Sequence, residues 1–247
     1  MEINKLMFRE YDIRGIYKED ITGDVAYLIG RAFASNLRKR NITKTIVGYD
    51  NRASSPELEQ YLIKGIVDSG VDVIRLGMVT TPMYYYSWDL LKIKNGIMIT
   101  ASHNPKEYNG FKFSYNGIHN AFGKDVIGLY ETIINNDFYE GKGSVNYIDI
   151  KEDYIKLITN SISLGDRKLK IVYDCGNGTT SIIVRDLFNK IPNIEWIGLF
   201  DTSDPDFPNH HPDPSVEDNL EALKQKVIKE KADLGIAFDG DGDRVGV

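Results

Sequence analysis

Short runs of apolar, β-branched residues alternate along the chain with stretches whose apolar positions recur at helical spacing. The first clear unit has a strand pattern at 44–50 (KTIVGYD), a helical pattern at 55–70 and a second strand pattern at 71–77 (VDVIRLG). Strands that alternate with helices of this length are typical of an α/β protein with a largely parallel sheet.

A second unit repeats the same order of elements. A strand pattern at 168–178 (KLKIVYDCGNG) is followed by an amphipathic helical pattern at 179–191 and by a strand pattern at 194–200 (IEWIGLF). In both units the first strand ends in Tyr-Asp before a turn. Two copies far apart in sequence indicate two similarly built domains rather than a solenoid of short repeats. The alternative, that any two strand-helix-strand units look alike at this level, stays open.

A polar stretch with two glycines, NNDFYEGKGSVNYIDIKEDY, interrupts the periodicity before a helical pattern that runs through Ile162. We therefore place a domain boundary near residue 145. The predicted domains are 1–145 and 146–247, each a mixed, largely parallel sheet with helices on both faces.

The last residues predict a buried strand (ADLGIAF), a turn (DGDGDR) and the start of another strand (VGV). An unfinished strand leaves backbone groups unpaired. We therefore expect the chain to be part of a longer protein.

Composition narrows the function classes. The 247 residues are 42% hydrophobic and 27% charged, with a formal net charge of -6, so no basic surface attracts nucleic acid or an anionic membrane. No run of about 18 apolar residues predicts a membrane span. The single cysteine, Cys175, excludes an intramolecular disulfide, and the opening MEINKLMFRE does not resemble a secretory signal. We expect a reducing, cytoplasmic location.

In the turn DGDGDR, single glycines separate the three aspartates Asp239, Asp241 and Asp243. Such carboxylates repel one another and need a counterion, and the glycines permit a tight loop that turns them toward a divalent cation such as Mg²⁺. Replacing Asp241 with asparagine would then stabilise the metal-free protein. The alternative is a plain β-hairpin with an Asp-Gly turn. An EF-hand is excluded because Arg244 occupies the position of its required glycine.

The stretch ITASHNPKEYNGFKF places Ser102 directly after an apolar run. The flanking glycines of a hydrolase nucleophile elbow are missing. A phosphoserine needs no catalytic triad, because metal, backbone amides and cations can match its charge, and His103, Lys112 and Arg244 are the candidate cations. The simpler alternative is a strand-end serine that caps a loop amide.

Five motifs occur in one order along the chain: FREYDIRG (8–15), TASHNPKEYNGFK (100–112), DCGNG (174–178), FPNHHPDP (207–214) and DGDGDR (239–244). Together they resemble the α-D-phosphohexomutases. The first and the fourth resemble the phosphomannomutase/phosphoglucomutase branch of that family. The paired histidines His210 and His211, surrounded by prolines, are interpreted as part of a structured interdomain loop rather than as a metal site.

The resemblance implies roles for named residues. Ser102 would carry the transferable phosphoryl group, and the three aspartates would hold Mg²⁺ together with an oxygen of phospho-Ser102. The substrate or its phosphate would be bound by Tyr11, Arg14 and Arg244. Lys112 would act as charge stabiliser, substrate contact or proton-transfer partner. The implied catalytic residues also include His103 and Arg14.

The implied reaction interconverts hexose 1-phosphates and 6-phosphates of mannose or glucose through a hexose 1,6-bisphosphate, with no nucleic-acid or membrane partner. The family has four domains and this sequence resembles the first two, so domains III and IV, which carry sugar recognition, would be absent. We expect the chain alone to fold and bind Mg²⁺ but to be nearly inactive as a mutase. The alternative is a non-catalytic, metal-binding paralogue that binds phosphosugars or protein partners.

Overall fold

A computed structural model describes residues 3–117 and 121–247. The first of two sheets has six strands, β1 (Ile13–Ile16), β2 (Lys44–Tyr49), β3 (Asp72–Met78), β4 (Gly96–Ile99), β5 (Tyr108–Ser114) and β6 (Val145–Tyr147). Their order is β1-β5-β4-β2-β3-β6. Strand β2 runs parallel to β3 and β4, and β3 runs parallel to β6. Strand β5 is antiparallel to β1 and β4, which makes the sheet mixed.

Helices cover both faces of this sheet. They are α1 (Gly23–Lys39), α2 (Ser55–Asp68), α3 (Thr81–Leu91), α4 (Lys124–Ile134) and α5 (Lys151–Ser161). Because side chains alternate along a strand, Val47 of β2 joins a core with α1, α2 and α4, while its neighbour Ile46 joins a second core with α3 and α5. A 3₁₀ helix, Lys5–Met7, precedes the first strand.

The second sheet has four strands, β7 (Leu169–Asp174), β8 (Ile194–Leu199), β9 (Leu234–Phe238) and β10 (Val245–Gly246), in the order β10-β9-β7-β8. Strand β7 is parallel to β8 and β9, and β10 closes an antiparallel hairpin with β9. The helices α6 (Val184–Phe188) and α7 (Glu221–Glu230) pack on opposite faces, against Tyr173 and Val172 respectively. The predicted fold class is therefore confirmed.

The helix predicted over 179–191 is shorter than expected. A 3₁₀ helix, Thr179–Ile182, comes first, and α6 has only five residues. The backbone N–H of Thr179 donates to Gly240 O, and its hydroxyl bonds to Asn51, so the start of the segment is committed to contacts with other elements. These tertiary contacts override the amphipathic pattern.

Strand β6 adds to the first sheet, and Ile155 of α5 packs in the core beneath it with residues of β2 and β3. The boundary near residue 145 remains a prediction. None of the helices in the described part of the chain is long and apolar enough to cross a membrane.

The carboxyl ends of parallel strands define where ligands bind in open α/β sheets. Here the loop after β4 and the turn after β9 meet: a Cβ on Gly240 would lie 2.6 Å from the carbonyl oxygen of Ser102. Glycine at this position is therefore what allows the two loops to approach each other. The two loops carry the predicted serine and aspartates.

Candidate active site

Ser102 lies near the start of the loop that follows β4, and its backbone is strained. Its φ is 53°, in the left-handed region that non-glycine residues rarely adopt. The N–H of Ser102 donates to Thr100 Oγ1 at 2.8 Å. The hydroxyl of Ser102 instead contacts Asp239 Oδ2 at 3.2 Å and His103 Nδ1 at 3.4 Å. The loop amide is thus capped by Thr100 Oγ1, and the Ser102 hydroxyl faces the ionisable groups of Asp239 and His103.

The acidic turn joins β9 to β10, so the predicted hairpin is present. Its three aspartates nevertheless converge, with one carboxylate oxygen from each within 4.8 Å of the others. Asp239 and Asp241 are buried, while Asp243 is partly exposed. Gly242, with φ of 73°, provides the left-handed turn that brings them together. The hairpin and the cluster of ligands are therefore two descriptions of the same turn.

Asp241 is held from three sides at one oxygen. Its Oδ2 accepts hydrogen bonds from Thr81 Oγ1 at 2.8 Å, Thr100 Oγ1 at 3.1 Å and Lys112 Nζ at 2.9 Å. Its Oδ1 is buried and has no hydrogen-bond partner among the described residues. A buried carboxylate oxygen without a donor is a suitable ligand for a cation. The donor set of three carboxylates fits a hard divalent cation such as Mg²⁺.

Asp239 and Asp241 differ in the direction in which their surroundings shift the pKa. Burial raises the pKa of Asp239, and the negative charges of Asp241 and Asp243 raise it further. For Asp241, burial by itself raises the pKa, but the charge and hydrogen bond of Lys112 outweigh burial and lower it. The pairing of Asp241 with Lys112 argues against the expectation that removing the Asp241 charge stabilises the metal-free protein.

Lys112, on β5, bridges two of the aspartates. Its Nζ lies 2.9 Å from Asp241 Oδ2 and 2.8 Å from Asp243 Oδ2. Burial alone lowers the pKa of Lys112, but the two carboxylates raise it above the ordinary value. The side chain is thus an ammonium in this arrangement, which favours charge stabilisation over proton transfer.

Arg244 and His103 flank the serine. The guanidinium of Arg244 donates to Asp239 Oδ2 through Nε at 2.9 Å and Nη2 at 2.8 Å, and Nη2 is 3.4 Å from Ser102 Oγ. Burial lowers the pKa of His103, and the charge of Arg244 lowers it further. Both effects favour the neutral ring over the cation expected of His103, and this ring faces the Ser102 hydroxyl.

Arg14 and Tyr11 line the same cleft as Ser102. Arg14, on β1, donates to Asn104 Oδ1 at 2.5 Å and Asp12 Oδ2 at 2.6 Å, while its Nε is buried without a hydrogen-bond partner among the described residues. The Tyr11 side chain is largely exposed. A cleft of about 480 Å³ is lined by Tyr11, Asp12, Arg14, Ser102, His103, Lys112, Asp243 and Arg244.

The structure brings every predicted site residue to this cleft or, for Asp239 and Asp241, to its buried floor. Sequence reasoning missed Thr81, Thr100 and Asn104. Thr100 directly follows β4 and could have been noticed by its position, whereas Thr81 comes from the start of α3 and belongs to none of the five motifs.

The two histidines of the 207–214 segment contact the Ser102 loop and the end of β7. His211 Nε2 forms a hydrogen bond with the carbonyl oxygen of His103. His210 Nε2 lies 3.1 Å from Asp174 Oδ2, and its Nδ1 lies 2.9 Å from His211 O. The segment thus fastens the second domain to the loop that carries Ser102.

Known proteins match the chain throughout. A family model described as phosphoglucomutase/phosphomannomutase, alpha/beta/alpha domain I, matches residues 5–140, and the corresponding domain II model matches residues 152–247. A phosphomannomutase/phosphoglucomutase of Pseudomonas syringae pv. tomato is 46% identical over 241 residues, which cover 98% of this chain and 51% of the relative. A phosphoglucomutase of Neisseria meningitidis serogroup B is 41% identical over 244 residues, which cover 98% of this chain and 52% of the relative.

Among solved structures, a phosphoglucomutase/phosphomannomutase family protein from Burkholderia thailandensis superposes with a TM-score of 0.93 at 38% identity. The match covers 99% of this chain and 55% of that protein. The chain therefore spans about half the length of the curated relatives it matches.

Proposed function

The chain belongs to the phosphoglucomutase/phosphomannomutase family, and from that premise we propose that it transfers a phosphoryl group between Ser102 and a hydroxyl of a hexose phosphate. In a protein of its relatives' full length, the net reaction would interconvert mannose or glucose 1-phosphate and 6-phosphate through a hexose 1,6-bisphosphate, whereas this chain alone is expected to carry out the phosphoryl transfer with little net mutase activity. The observation that carries the proposal is the Ser102 hydroxyl, which lies within 3.4 Å of Asp239, His103 and Arg244 at a cleft.

In the loading half-reaction, Ser102 Oγ forms a bond to a phosphorus of the bisphosphate while the bond from that phosphorus to the sugar oxygen breaks, and the released oxygen takes up a proton from the solvent to give a hexose monophosphate. The proton of the serine passes to a nearby base. The neutral ring of His103, with Nδ1 3.4 Å from Oγ, is positioned to accept it. The return half-reaction reverses these steps, with a hydroxyl of the other hexose phosphate isomer as the attacking group.

Charge on the transferred group is stabilised by fixed cations. Lys112 and Arg244 line the same cleft as the serine and are held by carboxylates, so they need little reorganisation during transfer. Asp239, Asp241 and Asp243, with an oxygen of phospho-Ser102, would hold Mg²⁺. When bound, Mg²⁺ supplies Lewis-acid polarisation of a phosphoryl oxygen.

Substrate would enter between Tyr11, Arg14 and Arg244. Nη1 and Nη2 of Arg14 each use one N–H to bind Asn104 and Asp12 and each keep a second N–H, whereas Nε is buried without a partner among the residues that the structure describes. A guanidinium held in this way presents its remaining donors to a phosphate oxygen or a sugar hydroxyl. The exposed phenol of Tyr11 supplies a further hydrogen bond at the rim.

The proposal is tested by following the two half-reactions on the 247-residue chain. Incubation with glucose 1,6-bisphosphate and Mg²⁺ should add the mass of one phosphoryl group to the intact protein. Later addition of glucose 6-phosphate or mannose 6-phosphate should remove it and release a hexose bisphosphate. Failure to gain that mass at saturating bisphosphate would contradict the proposal.

A further inference from the structure

Arg52 lies after the carboxyl end of β2, and its side chain is only 1% exposed. A guanidinium carries five N–H donors. All five are used here: Nε donates to Asp50 Oδ2 at 3.1 Å, Nη1 to Pro105 O at 2.7 Å and Tyr108 O at 3.0 Å, and Nη2 to Ser102 O at 2.9 Å and Asn104 O at 2.7 Å. The buried guanidinium of Arg52 thus donates hydrogen bonds to four backbone carbonyl groups of a single loop.

The four carbonyls belong to residues 102–108, the loop that carries the serine. Backbone carbonyls that converge on one point repel one another and are costly to bury without donors. The loop has only a few hydrogen bonds of its own, such as Asn104 N to Ala101 O and Tyr108 N to Pro105 O. Its shape therefore depends on the guanidinium.

Asp50 fixes the guanidinium in turn. Its Oδ1 accepts from Ser55 Oγ at 2.7 Å and from the backbone N–H of Arg52 at 3.1 Å, and its own N–H donates to Ile99 O at the end of β4. Asp50 is 1% exposed. The ring of Phe207, from the second domain, lies 6.0 Å from the guanidinium carbon. The pair is thus enclosed between two strand ends and the interdomain loop.

These hydrogen bonds fix the backbone of Ser102. Its left-handed φ of 53° is unfavourable for a serine and persists only if its surroundings impose it. Arg52 holds the carbonyl of Ser102 and Thr100 Oγ1 holds its N–H, so both sides of the strained residue are fixed. That conformation sets the direction in which Oγ points.

We propose that Arg52, oriented by Asp50, is a positioning residue that imposes the backbone conformation of Ser102 and so aligns its Oγ for in-line phosphoryl transfer, a role that rests on the proposed function. Arg52 does not line the cleft, so it acts through the loop and not on the substrate. Lysine could not replace it, because a single ammonium cannot reach two pairs of carbonyls as a planar fork does.

The test compares Arg52→Lys with Arg31→Lys. Arg31 is a matched control, since it is also buried, donates to Ser69 Oγ, Tyr139 O and Glu140, and contacts no residue of the Ser102 loop. The rate of Ser102 phosphorylation is measured by intact mass at several concentrations of glucose 1,6-bisphosphate with saturating Mg²⁺. Hydrogen exchange of the amides in 102–108 is measured alongside.

Misplacement of a reacting atom by about 1 Å costs on the order of 100-fold in rate. We expect Arg52→Lys to lower the maximal loading rate by about that factor with the half-saturating concentration nearly unchanged, and to speed exchange in the loop. Arg31→Lys should lower the melting temperature without either effect. If Arg52→Lys does not fold, the loading rate of Asp50→Asn tests the positioning role instead, and we expect that rate to fall by about 10-fold.

Normal loading by Arg52→Lys, or by Asp50→Asn if the former does not fold, would overturn the positioning role alone. Equal losses of rate in Arg52→Lys and Arg31→Lys would overturn it too, because the rate would then follow stability. Absence of loading in the wild-type chain would instead reject the proposed function, and the role of Arg52 in the reaction with it.

Discussion

The hydroxyl of Ser102 lies 3.2 Å from Oδ2 of Asp239, although 137 residues separate them and they follow strands of two different sheets. Neither domain alone contains this pair. The site exists only because glycines in the acidic turn let the two loops approach each other, and because Thr81, Thr100 and Lys112 of the first domain hold Asp241 of the second.

The first prediction concerns two aspartates of the acidic turn in the absence of metal. Asp241→Asn should lower the free energy of unfolding by about 1.5 to 3 kcal/mol, because it removes the buried one of the two carboxylates that pair with Lys112. Asp239→Asn should raise it near neutral pH, since burial and its neighbours already disfavour the charged form of Asp239. Urea unfolding in the presence of a chelator measures both.

With Mg²⁺ added, both variants should lose most of the increase in stability that the wild-type chain gains, since each lacks a ligand. The account of charge in this turn is rejected if the two asparagine variants change the metal-free stability in the same direction and by similar amounts.

Lys112 provides a second prediction. Lys112→Met keeps an unbranched side chain, one atom shorter, but removes the charge that bridges Asp241 and Asp243. The rate of Ser102 phosphorylation by glucose 1,6-bisphosphate should fall by about 100-fold, the usual cost of losing one fixed donor at a developing charge. Lys112→Arg, which keeps a cation, should retain more of the rate. Equal rates in the methionine and arginine variants would show that the charge of Lys112 is not used.

A third prediction is a pH dependence at His210. Burial alone lowers the pKa of His210, but its hydrogen bonds to Asp174 and to the carbonyl of His211 outweigh burial and raise it. Because the pKa in the folded protein exceeds the ordinary value of about 6.5, the protonated ring stabilises the fold fully below that pH. This stabilisation is lost as the pH rises through the raised pKa.

The measurement is the free energy of unfolding of the wild type and of His210→Gln over a pH series from about 6 to about 9. The wild type should lose stability with rising pH relative to the variant, which cannot titrate at this position. Parallel pH profiles of the two proteins would contradict the pairing of His210 with Asp174.

Much of the fold follows from local patterns. The strand-helix-strand units at 44–77 and 168–200 correspond to β2-α2-β3 and to β7-α6-β8, because their apolar positions match the two-residue and 3.6-residue periods of buried elements. The exception is α6. Its first turns were predicted from an amphipathic pattern, but Thr179 bonds to Gly240 and Asn51 instead, and no local rule encodes a partner in another part of the chain.

Only part of the candidate site, likewise, can be predicted from the sequence. Ser102 and the three aspartates stand in recognisable motifs, so their chemistry could be anticipated. Thr81 and Arg52 could not, because threonine and arginine near strand ends are common and only the tertiary structure brings them to Asp241 and to the Ser102 loop. The neutral state of His103 likewise depends on burial and on the charge of Arg244.

The central claim is that Ser102 receives the phosphoryl group. Its direct test is intact-mass measurement of the wild-type chain, Ser102→Ala and Ser161→Ala after incubation with glucose 1,6-bisphosphate and Mg²⁺. Ser161 is a control because it lies on the exposed end of α5, where its hydroxyl bonds to Leu157 O. Ser102→Ala removes one oxygen and should keep the melting temperature within a few degrees of the wild type.

The account predicts one added phosphoryl group on the wild type and on Ser161→Ala, and none on Ser102→Ala. A Ser102→Ala protein that gains the same mass at the same rate would contradict it.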